Sequence, residues 1–295
     1  MRLRRPLDLR DGISIAKLRL KSEQAARLGM RLFDKKHPVP YVQDTLANDV
    51  PVRIYKPAAG TSSPAIVYFH GGGFALYGVE SHDYLCRRLC HQNQMVVISV
   101  DYRLAPEHSY PAAHEDAWSA FLWVREQATS LGIDNTRIAV AGDSAGGNLS
   151  ACLAHRCRKE NISLWAQILI YPFIDGRLTN PSITRNGEGY LLTREALFWF
   201  QKTYVPRKED RCIPEVSPCF EKDFQHLAPA LILTAQYDPL LDDGYAYAEQ
   251  LRKAGVRVSY REYPHLVHGF MNIPLVSREA LWAFDDIRDF LRSIS

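Results

Sequence analysis

Long apolar runs are missing from this sequence of 295 residues. None reaches the roughly 18 consecutive apolar residues that a membrane-spanning helix requires. An excess of one charge is missing too, because 36 lysines and arginines stand against 33 aspartates and glutamates, a net charge of +3. Because the charges nearly cancel, there is no electrostatic reason to expect binding to nucleic acid or to an anionic membrane. We therefore expect neither a nucleic-acid partner nor a membrane span.

The N-terminal stretch lacks the features of a targeting signal. Residues 1–12 are basic but contain no apolar core of the kind found in secretory signals. The acidic side chains of Asp8, Asp11 and Glu23 do not suit a transit peptide, which is poor in acidic residues. The expected location of the protein is the cytoplasm.

Closely spaced cysteines are scarce as well. Their spacings are CxxxC, CxxxxC and CxxxxxxC, not the CxxC of a zinc ribbon, and no H-E-x-x-H motif is present. Cys86 and Cys90 would share one face of a helix, as metal ligands can, but free cysteines are most often core residues. We expect reduced, mostly buried thiols, with no disulfide framework, metal or other cofactor. The six cysteines are Cys86, Cys90, Cys152, Cys157, Cys212 and Cys219.

Short apolar runs alternate with helical patterns along most of the chain. Most of these runs are continuously apolar, as expected for strands that are covered by helices on both faces. The alternation predicts an α/β fold with a doubly wound, mostly parallel sheet. The predicted strands are 52–55, 65–69, 95–100, 137–141, 166–171, 230–235 and 256–260.

Helical patterns fill the intervals between these strands. A proline at the first position predicts a helix over 111–128, and a terminal glycine ends another predicted over 243–254. A further helix is expected over 277–294. Residues 1–45 and 173–215 carry no strand pattern, and we interpret both as a helical cap over one end of the sheet. The remaining core of this single domain, 1–295, covers about 46–172 and 216–295.

Both cap regions contain a predicted helix. Residues 15–33 have an amphipathic pattern, and Thr193 suits the N-cap position of an aromatic helix that follows it. The aromatic side chains of the second helix are expected to attach the cap to the core, and some of them could also line a pocket. They are Phe198, Trp199, Phe200 and Tyr204.

One serine follows a predicted strand directly. The sequence G-D-S-A-G over 142–146 fits the G-x-S-x-G pattern between a strand and a helix, which is the setting of a nucleophile elbow. Glycines at its ends allow the chain to turn sharply and pass close to its neighbours. Ser144 would then lie at the N-terminus of a helix, where amide donors favour a developing negative charge. The pattern predicts that Ser144 is a nucleophile.

A serine nucleophile needs a base and an acid that orients the base. Asp238 follows the strand over 230–235, and His268 follows the last predicted strand. This order of serine, acid and histidine is the order of the α/β-hydrolases. Asp242 and Asp243 are placed to cap the following helix instead. His265 forms H-x-x-H with His268, but a catalytic zinc would need a third ligand that the sequence does not offer at matching spacing.

The sequence H-G-G-G-F over 70–74 follows another predicted strand. It could be a phosphate loop, a tight turn or an anion site. No G-K-[ST] follows it and it does not fit G-x-G-x-x-G, which excludes the two common phosphate motifs. Upstream of an elbow, such a loop supplies backbone N–H groups to the oxyanion that serine attack produces, together with the N–H of Ala145.

Taken together, these motifs resemble the hormone-sensitive-lipase-like branch of the α/β-hydrolases, and within it the bacterial acetyl esterases. The matching segments cover about 64–271 in the family's order. They are H-G-G-G-F (70–74), D-Y-R-L-A-P-E-H (101–108), Y-P-A-A-H-E-D-A (110–117), G-D-S-A-G-G-N-L (142–149), S-P (217–218), Y-D-P-L-L-D-D-G (237–244) and H-G-F (268–270). One departure is His265, where the family often has glycine.

The resemblance implies a role for each motif. It implies an α/β-hydrolase fold with a helical cap and a catalytic triad of Ser144, Asp238 and His268. It also implies that Gly72, Gly73 and Ala145 donate to the oxyanion. The residues expected to support the site are His70, Gly71 and Asp143.

The expected activity is hydrolysis of short-chain acyl esters through an acyl-enzyme intermediate, with a small-molecule ester as the substrate. One alternative is an amidase or peptidase that uses the same triad, because the triad alone does not select the leaving group. Another is a ligand-binding module like the plant gibberellin receptors, which share the fold and the glycine loop but lack the catalytic histidine. His268 favours an enzyme over a receptor.

Overall fold

Eight strands form the central layer of the protein, for which the computed structural model describes residues 15–21, 24, 37–58, 62–273 and 277–295. Their order across the sheet is β1-β2-β4-β3-β5-β6-β7-β8 once they are numbered along the chain. The strands are β1 (Tyr41–Ala47), β2 (Val50–Lys56), β3 (Ser63–Phe69), β4 (Val96–Val100), β5 (Ile133–Asp143), β6 (Ala166–Ile170), β7 (Ala230–Tyr237) and β8 (Val258–Val267).

The sheet is parallel except at one edge. β1 pairs antiparallel with β2, β2 pairs antiparallel with β4, and the other neighbours are parallel. Every residue of β4 and β6 is buried, which explains why these strands are mostly apolar instead of alternating. The predicted α/β fold with a mostly parallel sheet is confirmed.

The first strand was missing from the sequence prediction. Residues 1–45 were expected to lack a strand, and this is wrong for the part that lies in β1, Tyr41–Ala47. β1 is an edge strand that pairs only with β2, and most of its side chains are exposed or half-buried. A strand without a buried face needs no apolar run, and so it leaves no such signal in the sequence.

Helices cover both faces of the sheet. One face packs against the second, fourth and seventh helices, and the other against the first and eighth. None of the helices in the described ranges is both long and apolar enough to cross a membrane. The α-helices that follow β1 are α1 (Val79–Asn93), α2 (Ala112–Glu126), α3 (Ala128–Leu131), α4 (Ala145–Lys159), α5 (Pro181–Arg185), α6 (Arg194–Tyr204), α7 (Leu241–Lys253) and α8 (Glu279–Ser293).

The three helices predicted in the core are present as α2, α7 and α8, with ends that differ by a few residues. Within residues 173–215, Thr193 accepts a hydrogen bond from the N–H of Ala196 at 3.1 Å, which confirms it as the N-cap of α6. Residues 15–21 are helical, and most of the remainder of the predicted helix over 15–33 lies outside the described residues.

Two aspartates connect the insertion over 173–215 to the core. The prediction that they cap α7 is wrong, because the helix begins at Leu241 and both side chains bind the insertion. Asp242 accepts from the N–H of Ser182 at 2.7 Å. The buried carboxylate of Asp243 accepts from two backbone N–H groups of the insertion, those of Ile174 and Asp175, each at 2.9 Å.

The cysteines are all free thiols. Cys86, Cys90 and Cys157 are buried, whereas Cys212 is exposed. The expected burial therefore holds for three of the six cysteines.

Candidate active site

Ser144 lies on a sharp turn between β5 and α4. Its backbone has φ 56° and ψ −114°, a conformation that is strained for any residue with a side chain. Backbone hydrogen bonds hold the turn in place. The Ser144 N–H donates to the carbonyl of Ile170, at the end of β6, at 2.8 Å. The Ser144 carbonyl accepts from the N–H groups of Asn148 and Phe173, each at 3.1 Å. The predicted elbow is thus present, with the hydroxyl at the N-terminal end of α4.

Close packing of the backbone explains why the G-D-S-A-G motif begins and ends with glycine. A Cβ at Gly146 would lie 1.8 Å from the carbonyl oxygen of Phe69 at the end of β3. One at Gly142 would lie 2.3 Å from the backbone of Gly146. Neither neighbour is a flexible side chain that could move away. The elbow can therefore approach β3 only without side chains at these two positions.

Replacement of Gly146 by alanine is expected to lower the free energy of unfolding by about 3 kcal/mol or more, because the new methyl group overlaps fixed backbone atoms. Gly189→Ala is the control. Gly189 has a positive φ of 82° but open space around its Cα, so alanine there should cost only about 1 kcal/mol. Urea unfolding of both variants measures the difference, and equal losses of stability would contradict the steric explanation.

The structure brings Ser144, His268 and Asp238 together although they are far apart in sequence. His268 Nε2 lies 3.0 Å from Ser144 Oγ, and His268 Nδ1 lies 2.7 Å from Asp238 Oδ2. Asp238 is fully buried, and its second oxygen accepts from the N–H of Leu240 at 2.8 Å. These contacts form one hydrogen-bonded row from a buried carboxylate to a partly exposed hydroxyl. Such a row can pass the proton of the hydroxyl to the imidazole.

Two residues that the sequence analysis missed hold this row in place. The ring of Tyr171, which follows β6, lies 4.8 Å from the ring of His268, centroid to centroid. The amide of Asn186, in the insertion, donates to the carbonyls of Gln236 and Asp238 at 2.9 and 3.0 Å. Asn186 belongs to no motif that the sequence displays, whereas Tyr171 could have been found from its position at the end of a predicted strand.

The glycine loop at 70–74 lies beside Ser144. The N–H of Gly71 is used within the protein, because it donates to Asp143 Oδ1 at 2.8 Å. Within the described part of the chain, the N–H groups of Gly72, Gly73 and Ala145 donate to no other residue. Gly72 has φ 113°, and a Cβ there would lie 2.1 Å from the Leu76 carbonyl oxygen. Glycine is thus required at position 72 by both conformation and space.

His70 packs in the interior and supports the glycine loop. It is fully buried, and its ring is stacked on that of Tyr102 with centroids 4.2 Å apart. Tyr102 donates its hydroxyl to the His70 carbonyl at 2.6 Å. Burial lowers the pKa of His70 to about 3, so the imidazole is neutral at pH 7. Its Nδ1 can then donate to the Gly71 carbonyl 2.7 Å away.

Asp143 joins the loop to the elbow. Its carboxylate accepts from the hydroxyl of Tyr68 at 2.7 Å, from the N–H of Gly71 and from the amide of Asn272 at 3.0 Å. Burial alone would raise the pKa of Asp143, but the neighbouring His82 and these donors hold it at about 2. Asp143 is therefore an ionised carboxylate in the interior. His82 and Asn272 are further residues that the sequence analysis missed.

Comparison with known proteins identifies the family. Residues 66–272 match the α/β-hydrolase fold family. The chain belongs to this family. The carboxylesterase NlhH of Mycobacterium tuberculosis is 42% identical over 272 residues, which cover 90% of this chain and 84% of the relative. An ethyl acetate hydrolase of Pseudomonas putida is 41% identical over 236 residues, 78% of this chain and 74% of its own length.

Solved structures agree with this assignment. A hyperthermophilic esterase from the archaeon Pyrobaculum calidifontis superposes with a TM-score of 0.91 and 39% identity, covering 96% of this chain and 94% of its own. The predicted membership in the hormone-sensitive-lipase-like branch and the predicted fold are confirmed.

The insertion of this α/β-hydrolase reaches the glycine loop through aromatic side chains. A Cβ at Gly73 would lie 2.3 Å from ring carbons of Phe200, so the Phe200 ring rests on Gly73. Phe74 and Tyr204 are stacked with centroids 3.8 Å apart. The buried Tyr204 therefore attaches the insertion to the core as expected, whereas Phe198 is exposed.

His265 is separate from the hydrogen-bonded row of this α/β-hydrolase. It lies in β8 and is exposed to solvent. The H-x-x-H spacing therefore reflects a strand that continues to Val267, followed directly by His268.

Proposed function

We propose that this protein hydrolyses short-chain carboxylic esters through Ser144, His268 and Asp238. The observation that carries the proposal is the row of two hydrogen bonds, at 3.0 and 2.7 Å, from the Ser144 hydroxyl through His268 to Asp238. The predicted enzyme class, a carboxylesterase of the α/β-hydrolase family, is confirmed by the esterase relatives. The roles of the individual residues and the short acyl chain are our proposal.

In the first half of the reaction, Ser144 Oγ bonds to the ester carbonyl carbon while its proton passes to His268 Nε2. The carbonyl oxygen becomes an oxyanion. When this intermediate collapses, the bond to the alcohol oxygen breaks, and His268 returns the proton to the departing alcohol. Asp238 keeps Nδ1 protonated and stabilises the imidazolium that forms.

In the second half, water attacks the acyl-enzyme. His268 takes a proton from the water as the new carbon–oxygen bond forms, and the proton returns to Ser144 Oγ when the carboxylic acid leaves. Every bond that forms or breaks in these steps belongs to the substrate, to water, to Ser144 or to His268.

The oxyanion is proposed to bind the N–H groups of Gly72, Gly73 and Ala145. Support comes from their hydrogen bonding, since none of the three N–H groups donates to another described residue, whereas the N–H of Gly71 is already held by Asp143. Ala145 is the first residue of α4, where the helix dipole also favours negative charge. Donors that are fixed before the reaction need no reorganisation when the charge develops.

A short acyl chain is supported by Phe200 and by one relative. The Phe200 ring rests on Gly73 and so occupies space directly beside the proposed oxyanion donors. The Pseudomonas putida relative is an ethyl acetate hydrolase. The two parts of the proposed cap, about 1–45 and 173–215, would shape the acyl and alcohol pockets. The cytoplasmic location and the lack of a cofactor stay predictions from the sequence.

A series of p-nitrophenyl esters from acetate to laurate tests the proposal, together with labelling by phenylmethylsulfonyl fluoride. We expect kcat/KM to be highest for the short esters, because the Phe200 ring occupies space that a longer acyl chain would need. One methylene that does not fit such a pocket is worth about 1 to 3 kcal/mol. Mass spectrometry should locate the sulfonyl label on Ser144. The matching anilides distinguish an esterase from an amidase. Absence of both turnover and labelling would rule out the proposed mechanism and favour a binding module.

A further inference from the structure

A second histidine lies behind the glycine loop, outside the row formed by Ser144. His82 is on α1, and only 2% of its surface is exposed. Its Nε2 lies 3.1 Å from Asp143 Oδ1, and its Nδ1 lies 2.9 Å from the hydroxyl of Ser81. Both ring nitrogens therefore have a partner. A neutral ring has one N–H and one lone pair, so it can satisfy both contacts only if one of the partners is a donor.

The hydroxyl of Ser81 decides which protons the ring carries. Ser81 Oγ accepts from the N–H of Gly78 at 3.0 Å and donates to the Gly78 carbonyl at 2.7 Å. A hydroxyl has one proton and two lone pairs. Since its proton is used on the carbonyl, Ser81 can only accept from His82. The Nδ1 of His82 must then carry a hydrogen.

The carboxylate of Asp143 decides the other nitrogen. It already accepts from Tyr68, Gly71 and Asn272, and three such donors strongly favour the ionised carboxylate. A bare Nε2 would place its lone pair against a carboxylate oxygen 3.1 Å away, which is repulsive. The Nε2 must therefore carry a hydrogen too.

Each neutral form of the ring breaks one of these contacts. With a hydrogen on Nε2 alone, Ser81 would have to turn its proton away from the carbonyl of Gly78, leaving two oxygens 2.7 Å apart with no proton between them. With a hydrogen on Nδ1 alone, the lone pair of Nε2 faces Asp143. Only the doubly protonated ring satisfies every contact.

Among the described residues, Asp143 is the acidic group that forms an ion pair with this ring. The titratable rings close to it are those of His70, Tyr68 and Tyr77, with centroids 5.5, 6.1 and 6.1 Å away. His70 is neutral at pH 7, since burial lowers its pKa. The N-terminus of α1 disfavours a cation only weakly, whereas a buried charge without a partner is much more costly. Asp143 is thus the counter-ion of His82.

We propose that His82 is held as an imidazolium and that its buried ion pair with Asp143 positions the two loops beside Ser144. One loop is the glycine loop, because the N–H of Gly71 is bound to Asp143 Oδ1. The other follows His268, because the amide of Asn272 is bound to Asp143 Oδ2. His82 touches neither the substrate nor a reacting atom in this scheme. It is a positioning residue that fixes Asp143 between both loops.

The protonation of His82 does not depend on the proposed function, whereas the effect on turnover rests on it. The two parts are therefore measured separately. The first measurement is a nitrogen–proton correlation spectrum of the full-length protein labelled with nitrogen-15 in its histidines, at pH 7. The signal that is lost in His82→Gln identifies His82. We expect both of its nitrogens to carry protons, and a neutral ring would overturn the proposal.

The second measurement is steady-state hydrolysis of p-nitrophenyl acetate by two variants. His82→Gln retains an N–H close to the position of Nε2, whereas His82→Leu has no donor. A displacement of about 1 Å at the reacting groups costs on the order of 10²-fold. We expect kcat to fall ~10²-fold in His82→Leu and less in His82→Gln, with KM nearly unchanged in both.

The matched control is His155→Gln. His155 is equally buried, and its Nε2 lies 3.0 Å from the hydroxyl of Tyr247, away from Asp143. This variant should lose folding stability but keep the wild-type kcat. A kcat in His82→Leu equal to that of His155→Gln would overturn the positioning role. If the wild-type protein itself cleaves no ester, the proposed function fails and the spectrum still decides the protonation.

Discussion

Replacement of Ser144 by alanine is expected to lower kcat for ester hydrolysis by roughly 10⁴- to 10⁶-fold. Without the hydroxyl no acyl-enzyme can form, so water must attack the ester directly. The oxyanion donors and the substrate pocket remain in this variant. They account for the residual rate, which should still exceed that in water by about 10³-fold.

The matched control for this variant is Ser150→Ala. Ser150 lies on the same helix, α4, is fully buried, and donates its hydroxyl to the Gly146 carbonyl at 2.9 Å. Loss of that bond should cost about 1 kcal/mol of folding stability and leave turnover unchanged. Burst kinetics with p-nitrophenyl acetate provide the readout, since only an enzyme that accumulates an acyl intermediate shows a burst. Comparable turnover in Ser144→Ala and the wild type would remove Ser144 from the mechanism.

Asp238→Asn is expected to lower kcat by about 10⁴-fold without changing the fold. The oxygen bound to the N–H of Leu240 would remain the amide oxygen, so the amide NH₂ would face His268 Nδ1. Two donors cannot face each other, and the ring would therefore place its proton on Nε2. In that tautomer His268 donates to Ser144 and cannot accept its proton.

Asp242→Asn is the control for Asp238→Asn because it changes a neighbouring aspartate in the same way. Asp242 binds Ser182 and Arg185 of the insertion and takes no part in the row. Its variant should retain kcat. Because His268 cannot accept the Ser144 proton in Asp238→Asn, this variant should recover part of its rate at high pH, where hydroxide can act as the base. A loss of kcat in Asp242→Asn equal to that in Asp238→Asn would favour Asp242 as the acid.

Much of the candidate site could be predicted because its motifs are local. The elbow at Ser144 needs a strand, small residues and a helix in immediate succession, and all three are visible within a few residues. Asp238 and His268 each follow an apolar strand, and parallel strands carry their C-terminal ends to the same edge of the sheet. The order of the strands in the chain was enough to connect these three residues.

Residues that act across large sequence separations could not be predicted in the same way. Asn186 holds the chain around Asp238, and His82 lies against Asp143, 61 residues further along the chain. Neither pair forms a pattern, because a hydrogen bond between distant elements imposes no spacing on the sequence. The edge strand β1 was missed for a related reason, since an exposed strand needs no apolar run.

The sequence by itself determined the sheet-and-helix order, the elbow, the glycine loop and the row of Ser144, His268 and Asp238. Periodicity and backbone sterics are local properties, and each restricts which residue types can stand at neighbouring positions in the sequence. Only the tertiary structure decided which N–H groups are already occupied, such as that of Gly71, and which remain available beside Ser144. It also decided the charge of His82, because the protonation of a buried ring follows from the donors and acceptors that the fold places around it.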